Sequence, residues 1–163
     1  MNLGFIGTGK ISSSVINGIC NSSIKYKKII ISSRNNKVAN QLKRKFKKIF
    51  IEKDNQKIVN NCNWIFLGVT PSVGEKIIKN LNFRSNQTII SFISTINIEN
   101  LKKMIKVKAN VVRAIPLPPI SLGKGPVPIC PPNKKVKIFL IKLAQRFKSK
   151  VKNYLLIFGQ CQA

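Results

Sequence analysis

The residues of this chain best suited to chemistry stand in one run near its start, Gly7-Thr8-Gly9-Lys10-Ile11-Ser12. This G-x-G-x-x-S pattern follows an apolar stretch, Asn2 to Ile6, and leads into Ile11, Val15, Ile16 and Ile19, which recur at helical spacing. In a strand-turn-helix setting the first glycine permits a tight turn and the second lets backbone approach a pyrophosphate. The third site needs a small residue so that helix and strand can pack, and Ser12 is small enough. The helix starting near Lys10 would aim its free N–H groups and positive dipole end at the phosphates. The end of the second strand then selects the dinucleotide: an acid there binds the ribose hydroxyls of NAD, whereas a guanidinium can clamp a 2′-phosphate. Here the residues are Ser32, Ser33 and Arg34. Arg34 is also one of thirty cations, and its strand-end position is what favours the clamp.

Other chemistries are excluded by what the chain lacks. There is no His, which removes Ser-His-Asp and Cys-His nucleophile pairs and every His-containing metal site. Of the four acids, Asp54, Glu75 and Glu99 are expected at helix starts, where the macrodipole accounts for them, and Glu52 in a surface loop. Paired-carboxylate catalysis has no support. Cysteines 20, 62, 130 and 161 form no C-x-x-C pair, so a zinc ribbon is excluded and no metal is expected. They are expected to be buried, reduced thiols of a cytoplasmic protein. No run approaches eighteen apolar residues, so no membrane span is expected.

The elements that must position the motif follow from periodicity. Strands are expected at Asn2–Ile6, Ile29–Ile31, Ile49–Ile51, Trp64–Val69, Thr88–Ile93 and Val111–Ile115. Helices are expected between them, through Val38 to Phe46, from Asp54 through Val59, from Pro71 through Leu81, and through Ile98 to Ile105. Seven of the eight prolines lie between 116 and 132, which predicts a rigid, extended connection. A last helix runs through Val136, Phe139, Leu140, Leu143, Ala144 and Phe147, and Tyr154–Phe158 is a candidate edge strand. The alternation predicts a doubly wound, mostly parallel α/β sheet in three α/β/α layers.

Four motifs together resemble the pyrroline-5-carboxylate reductase family: Gly4-Phe5-Ile6-Gly7-Thr8-Gly9-Lys10, Ser32-Ser33-Arg34, Val69-Thr70-Pro71 and Val111-Val112-Arg113-Ala114-Ile115-Pro116. The resemblance covers residues 1 to about 155 and implies that family's NADP-binding Rossmann domain, over 1–158. It implies hydride transfer from NADP(H) to a cyclic imine, 1-pyrroline-5-carboxylate, in proline biosynthesis. It places Gly7, Thr8, Gly9, Lys10 and Ile11 around the pyrophosphate, Ser33 and Arg34 at the 2′-phosphate, and Val69, Thr70 and Pro71 along the nucleotide cleft. The family usually has Lys where Thr70 stands, and Met-Pro-Asn-Thr-Pro where this chain has Ile115-Pro116-Leu117-Pro118-Pro119. Residues 159–163 fall where that family enters an all-helical C-terminal domain, which supplies dimer contacts and much of the imine pocket. The 163 residues lack that domain, so the expectation is a truncated reductase. The alternative is a stand-alone or relic NADP(H)-binding module without turnover. Oligomerisation is not expected without that domain, and the imine substrate requires it.

The charge of +26, from 30 Lys+Arg against 4 Asp+Glu, makes a phosphate-attracting surface. The cations spread over nearly every helix, and aromatic residues are only 7%, mostly Phe at core spacing, so base-stacking platforms are not indicated. Nucleic acid is expected to adhere non-specifically only.

Overall fold

The computed structural model describes residues 1–144. The sheet comprises β1 (Asn2–Ile6), β2 (Lys28–Ser32), β3 (Ile49–Glu52), β4 (Trp64–Leu67), β5 (Thr88–Ser91), β6 (Asn110–Ala114) and β7 (Ile129–Cys130). The helices are α1 (Lys10–Cys20), α2 (Asn36–Lys45), α3 (Asn55–Asn61), α4 (Pro71–Lys79), α5 (Ile98–Ile105) and α6 (Lys134–Ala144). The strand order is β3-β2-β1-β4-β5-β6-β7. β1 to β6 are parallel and β7 is antiparallel to β6, giving the doubly wound sheet that the alternation predicts.

Alternation along each strand divides two cores. Leu3, Phe5, Ile29, Ile31, Phe66, Ile90 and Val112 face one side with α1, α2 and α6, while Ile30, Ile65, Leu67, Ile89 and Val111 face α3, α4 and α5. Phe5 and Phe66, paired in register across β1 and β4, stack at 4.4 Å between ring centroids. Both faces are covered, which is why the strands read as continuous apolar runs.

Two strands end earlier than their apolar runs. β4 stops at Leu67: the Gly68 N–H makes the last ladder bond, to Ile6 O at 2.9 Å, and the chain then turns into α4. β5 stops at Ser91, whose hydroxyl accepts from Ile93 N at 3.2 Å and turns the chain away from the ladder. The acids differ in detail. Asp54 caps α3 and Glu99 lies in the first turn of α5, but Glu75 sits beyond the first turn of α4, which holds no acid. Glu52 is the last residue of β3 rather than a loop residue.

The proline-rich segment is not simply extended. Pro118–Leu122 forms a 3₁₀ turn, and Ile129–Cys130 returns as β7 beside β6. The turn lies close against α1: a Cβ on the buried Gly18 would come within 2.6 Å of Ile120 O and 3.5 Å of Leu143 Cδ2. Cys20 and Cys62 are free thiols, and burial pushes Cys62 up to about 12, so it stays protonated. Cys130 is disulfide-bonded, which departs from the reduced state expected for all four cysteines. Among the described residues no helix is long and apolar enough to cross a membrane, and no group of three or more His, Cys, Asp or Glu could hold a metal. Phe147, the strand expected at 154–158, Cys161 and the domain boundary at 158 lie outside the described residues.

The approach at Gly18 yields a stability prediction. Ala gains up to about 1 kcal/mol over Gly in a helix interior, but its methyl would strike a backbone carbonyl, and overpacking of this kind costs about 1–3 kcal/mol. Gly18→Ala is therefore expected to lower the urea midpoint at unchanged slope. An equal or higher midpoint would show that the 3₁₀ turn retreats freely.

Candidate dinucleotide site

Two adjoining cavities open at the carboxyl ends of the parallel strands, flanking β1 where the strand order reverses. The larger, about 430 Å³, is lined by Gly7, Thr8, Gly9, Arg34, Asn35, Asn36, Gly68, Val69 and Thr70. The smaller, about 170 Å³, is lined by Ile6, Gly7, Ser32, Ser33, Arg34, Lys53, Asn55, Val69 and Ile77. Gly7, Arg34 and Val69 border both, so the two form one crevice at the topological switch point.

The turn after β1 shows why its residue types matter. Gly7 has φ +95°, and a Cβ there would strike Gly68 O and Val69 Cγ1. A Cβ on Gly68 would in turn strike Ser12 Oγ. Small residues at 7, 12 and 68 thus let the ends of β1 and β4 and the first turn of α1 converge. Gly9 differs: a Cβ there would meet only Gly68 O, at 4.0 Å. Protein packing does not require this glycine, and the space above it is free for a ligand.

Polar groups at the crevice are left for an outside partner. The first helical bond of α1 runs from Ser13 N–H to Gly9 O at 2.9 Å, and the earlier N–H groups of Lys10, Ile11 and Ser12 have no side-chain cap. α2, α3 and α5 are capped by Asn35, Asp54 and Asn97, whereas α1 and α4, which start at the crevice, are not. Thr8 borders the larger cavity, and its Oγ1 is buried with no hydrogen-bond partner. No acid lines either cavity. The crevice therefore suits a phosphate-bearing ligand, met by helix N–H groups, a hydroxyl and the Arg34 guanidinium.

Of the residues expected from sequence, Gly7, Thr8, Gly9, Arg34, Val69 and Thr70 come together around the larger cavity and Ser33 joins Arg34 at the smaller one. Lys10, Ile11 and Pro71 are the first residues of α1 and α4 and border neither cavity with their side chains. Ser32 lines the smaller cavity beside Ser33, but it is buried and its hydroxyl accepts the Gly7 N–H at 2.8 Å, which fixes the turn. Sequence reasoning missed Asn35, Asn36, Lys53, Asn55, Gly68 and Ile77. Lys53 and Asn55 were findable, since they follow the end of β3 and ligands gather at carboxyl strand ends.

Residues 2–95 match the protein family described as NADP oxidoreductase coenzyme F420-dependent. Among curated proteins none matches this sequence. A 1-pyrroline-5-carboxylate reductase from Streptococcus pyogenes superposes with a TM-score of 0.73 at 21% identity, over 99% of this chain and 58% of its own. The Plasmodium falciparum pyrroline carboxylate reductase, solved with NADP bound, gives 0.72 at 20% identity, over 97% and 56%. A pyrroline-5-carboxylate reductase from Coxiella burnetii gives 0.76 at 17% identity, over 98% and 59%. At these identities the likeness is one of fold. The chain spans less than two thirds of the length of each of these reductases.

The two serines at the end of β2 should separate cleanly. Ser32→Ala leaves the buried Gly7 N–H unpaired and is expected to destabilise the protein by about 1–3 kcal/mol. Ser33→Ala should change stability by no more than about 0.5 kcal/mol. Urea unfolding of both variants checks this, and equal effects would remove Ser32 from its anchoring role.

Proposed function

We propose that this chain, which belongs to the NADP oxidoreductase coenzyme F420-dependent family, holds NADP(H) across the two cavities and serves reduction of a cyclic imine similar to 1-pyrroline-5-carboxylate. It is an NADP-binding oxidoreductase domain. The observation that carries the reading is the acid-free crevice over Gly9, where free space, uncapped helix N–H groups and the unpartnered Thr8 hydroxyl coincide. When bound, NADPH supplies the hydride, and the chain's own residues bind and orient. The N–H groups of Lys10, Ile11 and Ser12 with Thr8 Oγ1 would hold the pyrophosphate, Ser33 and Arg34 the 2′-phosphate, and Val69 and Thr70 the wall of the cleft. The likeness to pyrroline-5-carboxylate reductases supports the substrate class, and proline formation in the cytoplasm is proposed with it.

A dinucleotide-binding module without turnover is a second reading, and Leu117 favours it. This residue follows β6 and is 48% exposed. It is apolar where the reductases it resembles usually carry Asn, so it offers no polar contact to orient a nicotinamide. Imine and proton donor would also have to be positioned by groups other than His, of which there is none.

Calorimetry at two salt concentrations should show tighter binding of NADPH than of NADH, with Arg34→Ala reducing the preference by about 1.5–3 kcal/mol. Gly9→Asp should abolish binding of both while circular dichroism shows a folded protein, because the open space takes the side chain and its charge opposes the phosphates. Unchanged NADPH affinity in that folded variant would place the nucleotide elsewhere.

Turnover separates the two readings. Residues 1–163 alone are expected to reduce the pyrroline substrate more slowly than about one per second, below the ordinary enzyme range. A faster decay of NADPH absorbance would show that these residues assemble a complete reductase site.

A further inference from the structure

Lys53 borders the smaller cavity together with Arg34, Ser33 and Asn55. Its place there follows from register. Ser32 pairs with Glu52 as the last rung between β2 and β3, and Ser33 N–H bonds Glu52 O at 3.1 Å. The next residues beyond that rung, Ser33 and Arg34 on one side and Lys53 on the other, therefore emerge side by side at the carboxyl edge of the sheet.

The two acids flanking Lys53 would ordinarily neutralise such a spot, but the carboxylates of both are held by backbone N–H groups and neither lines the cavity. The Glu52 carboxylate accepts from Lys53 N at 2.8 Å and from Asp54 N at 3.0 Å, folding back on its own loop. The Asp54 carboxylate accepts from Gln56 N at 2.8 Å as the cap of α3. The loop is pinned by these bonds, and neither acid lines the cavity. Two cations thus face one small cavity with no anion of the protein among its lining residues, and Ser33 adds a hydroxyl.

We infer that Lys53 is a second cation of the 2′-phosphate site and, with Arg34, a determinant of NADP(H) over NAD(H). The inference rests on the reading of the cavities as an NADP(H) site and names a residue that no motif in the sequence marks. A phosphate dianion bridged by an ammonium from the β3 loop and a guanidinium from the β2 loop is held from two sides. An adenosine with a free 2′-hydroxyl would gain little from either cation.

The test uses 2′,5′-ADP and 5′-AMP as calorimetric probes, which differ in the 2′-phosphate alone. Lys57 provides the control: it is exposed on α3, carries the same charge and borders neither cavity. Lys53→Ala is expected to weaken 2′,5′-ADP about tenfold at low salt, with 5′-AMP changed less than about twofold and the effect shrinking at high salt. Lys53→Arg should retain the affinity, and Lys57→Ala should change it less than about twofold. An equal loss in Lys57→Ala would assign the effect to the general field of a +26 chain and overturn the inference. So would an equal loss for both probes, or none. Wild-type preference for 2′,5′-ADP that is undiminished in Lys53→Ala overturns this inference alone. Wild-type protein that binds neither probe overturns the dinucleotide reading and the inference with it.

Discussion

The site depends on the close approach of two backbone segments, Gly7 at the end of β1 and Gly68 at the end of β4. No side chain fits between them, and a third small residue, Ser12, closes the contact from the first turn of α1. The approach is held from the other flank by Ser32, whose hydroxyl takes the Gly7 N–H. Everything that faces the crevice is placed by this meeting. It directs α1 across the strand ends with its N–H groups uncapped, leaves Gly9 with open space above it and brings Val69 to the border of both cavities.

Electrostatics at the crevice are set by where the few acids are tied down. With 30 cations and 4 acids the average field favours any phosphate. Selectivity must come from local arrangement, because exposed charges more than about 10 Å apart are largely screened at 0.1 M salt. Glu52 and Asp54 lie next in sequence to Lys53, yet their carboxylates are occupied by backbone N–H groups. Other cations serve the fold: Arg84 donates to Val59 O, Asn60 O and Cys62 O, and Gln87 shares two of these acceptors, so the carboxyl end of α3 is satisfied.

The fold was legible where one physical signal dominates. Strands buried on both faces read as apolar runs, and the G-x-G-x-x-S pattern could be placed because strand and helix signals abut it. What escaped was non-local. Gly18 reads as the closing of a helix, but it is the point where Ile120 O approaches α1, a contact across about a hundred residues. The proline-rich segment reads as extended, yet register with β6 draws Ile129–Cys130 into the sheet. Ser32 and Ser33 are indistinguishable by type and both line the smaller cavity, and only the geometry of the Gly7 turn shows that the Ser32 hydroxyl anchors that turn.

The same contact at Gly18 ties the segment after β6 to the helix that starts at the crevice. The 3₁₀ turn after Leu117 rests on α1, and Ile120 is buried in the core that α1 shares with α6. The segment following β6 and the helix whose N-terminus faces the phosphate cavity are therefore packed as one body on this face of the sheet. In such a close-packed interior a shift of α1 cannot be absorbed locally. The N–H groups of Lys10 to Ser12 stand at one end of this body, and Leu117 opens the 3₁₀ turn at another, after β6, three strands from β1. The relative placement of α1 and the segment after β6 is thus fixed where a glycine meets a carbonyl, Gly18 against Ile120 O, and neither residue lines the crevice.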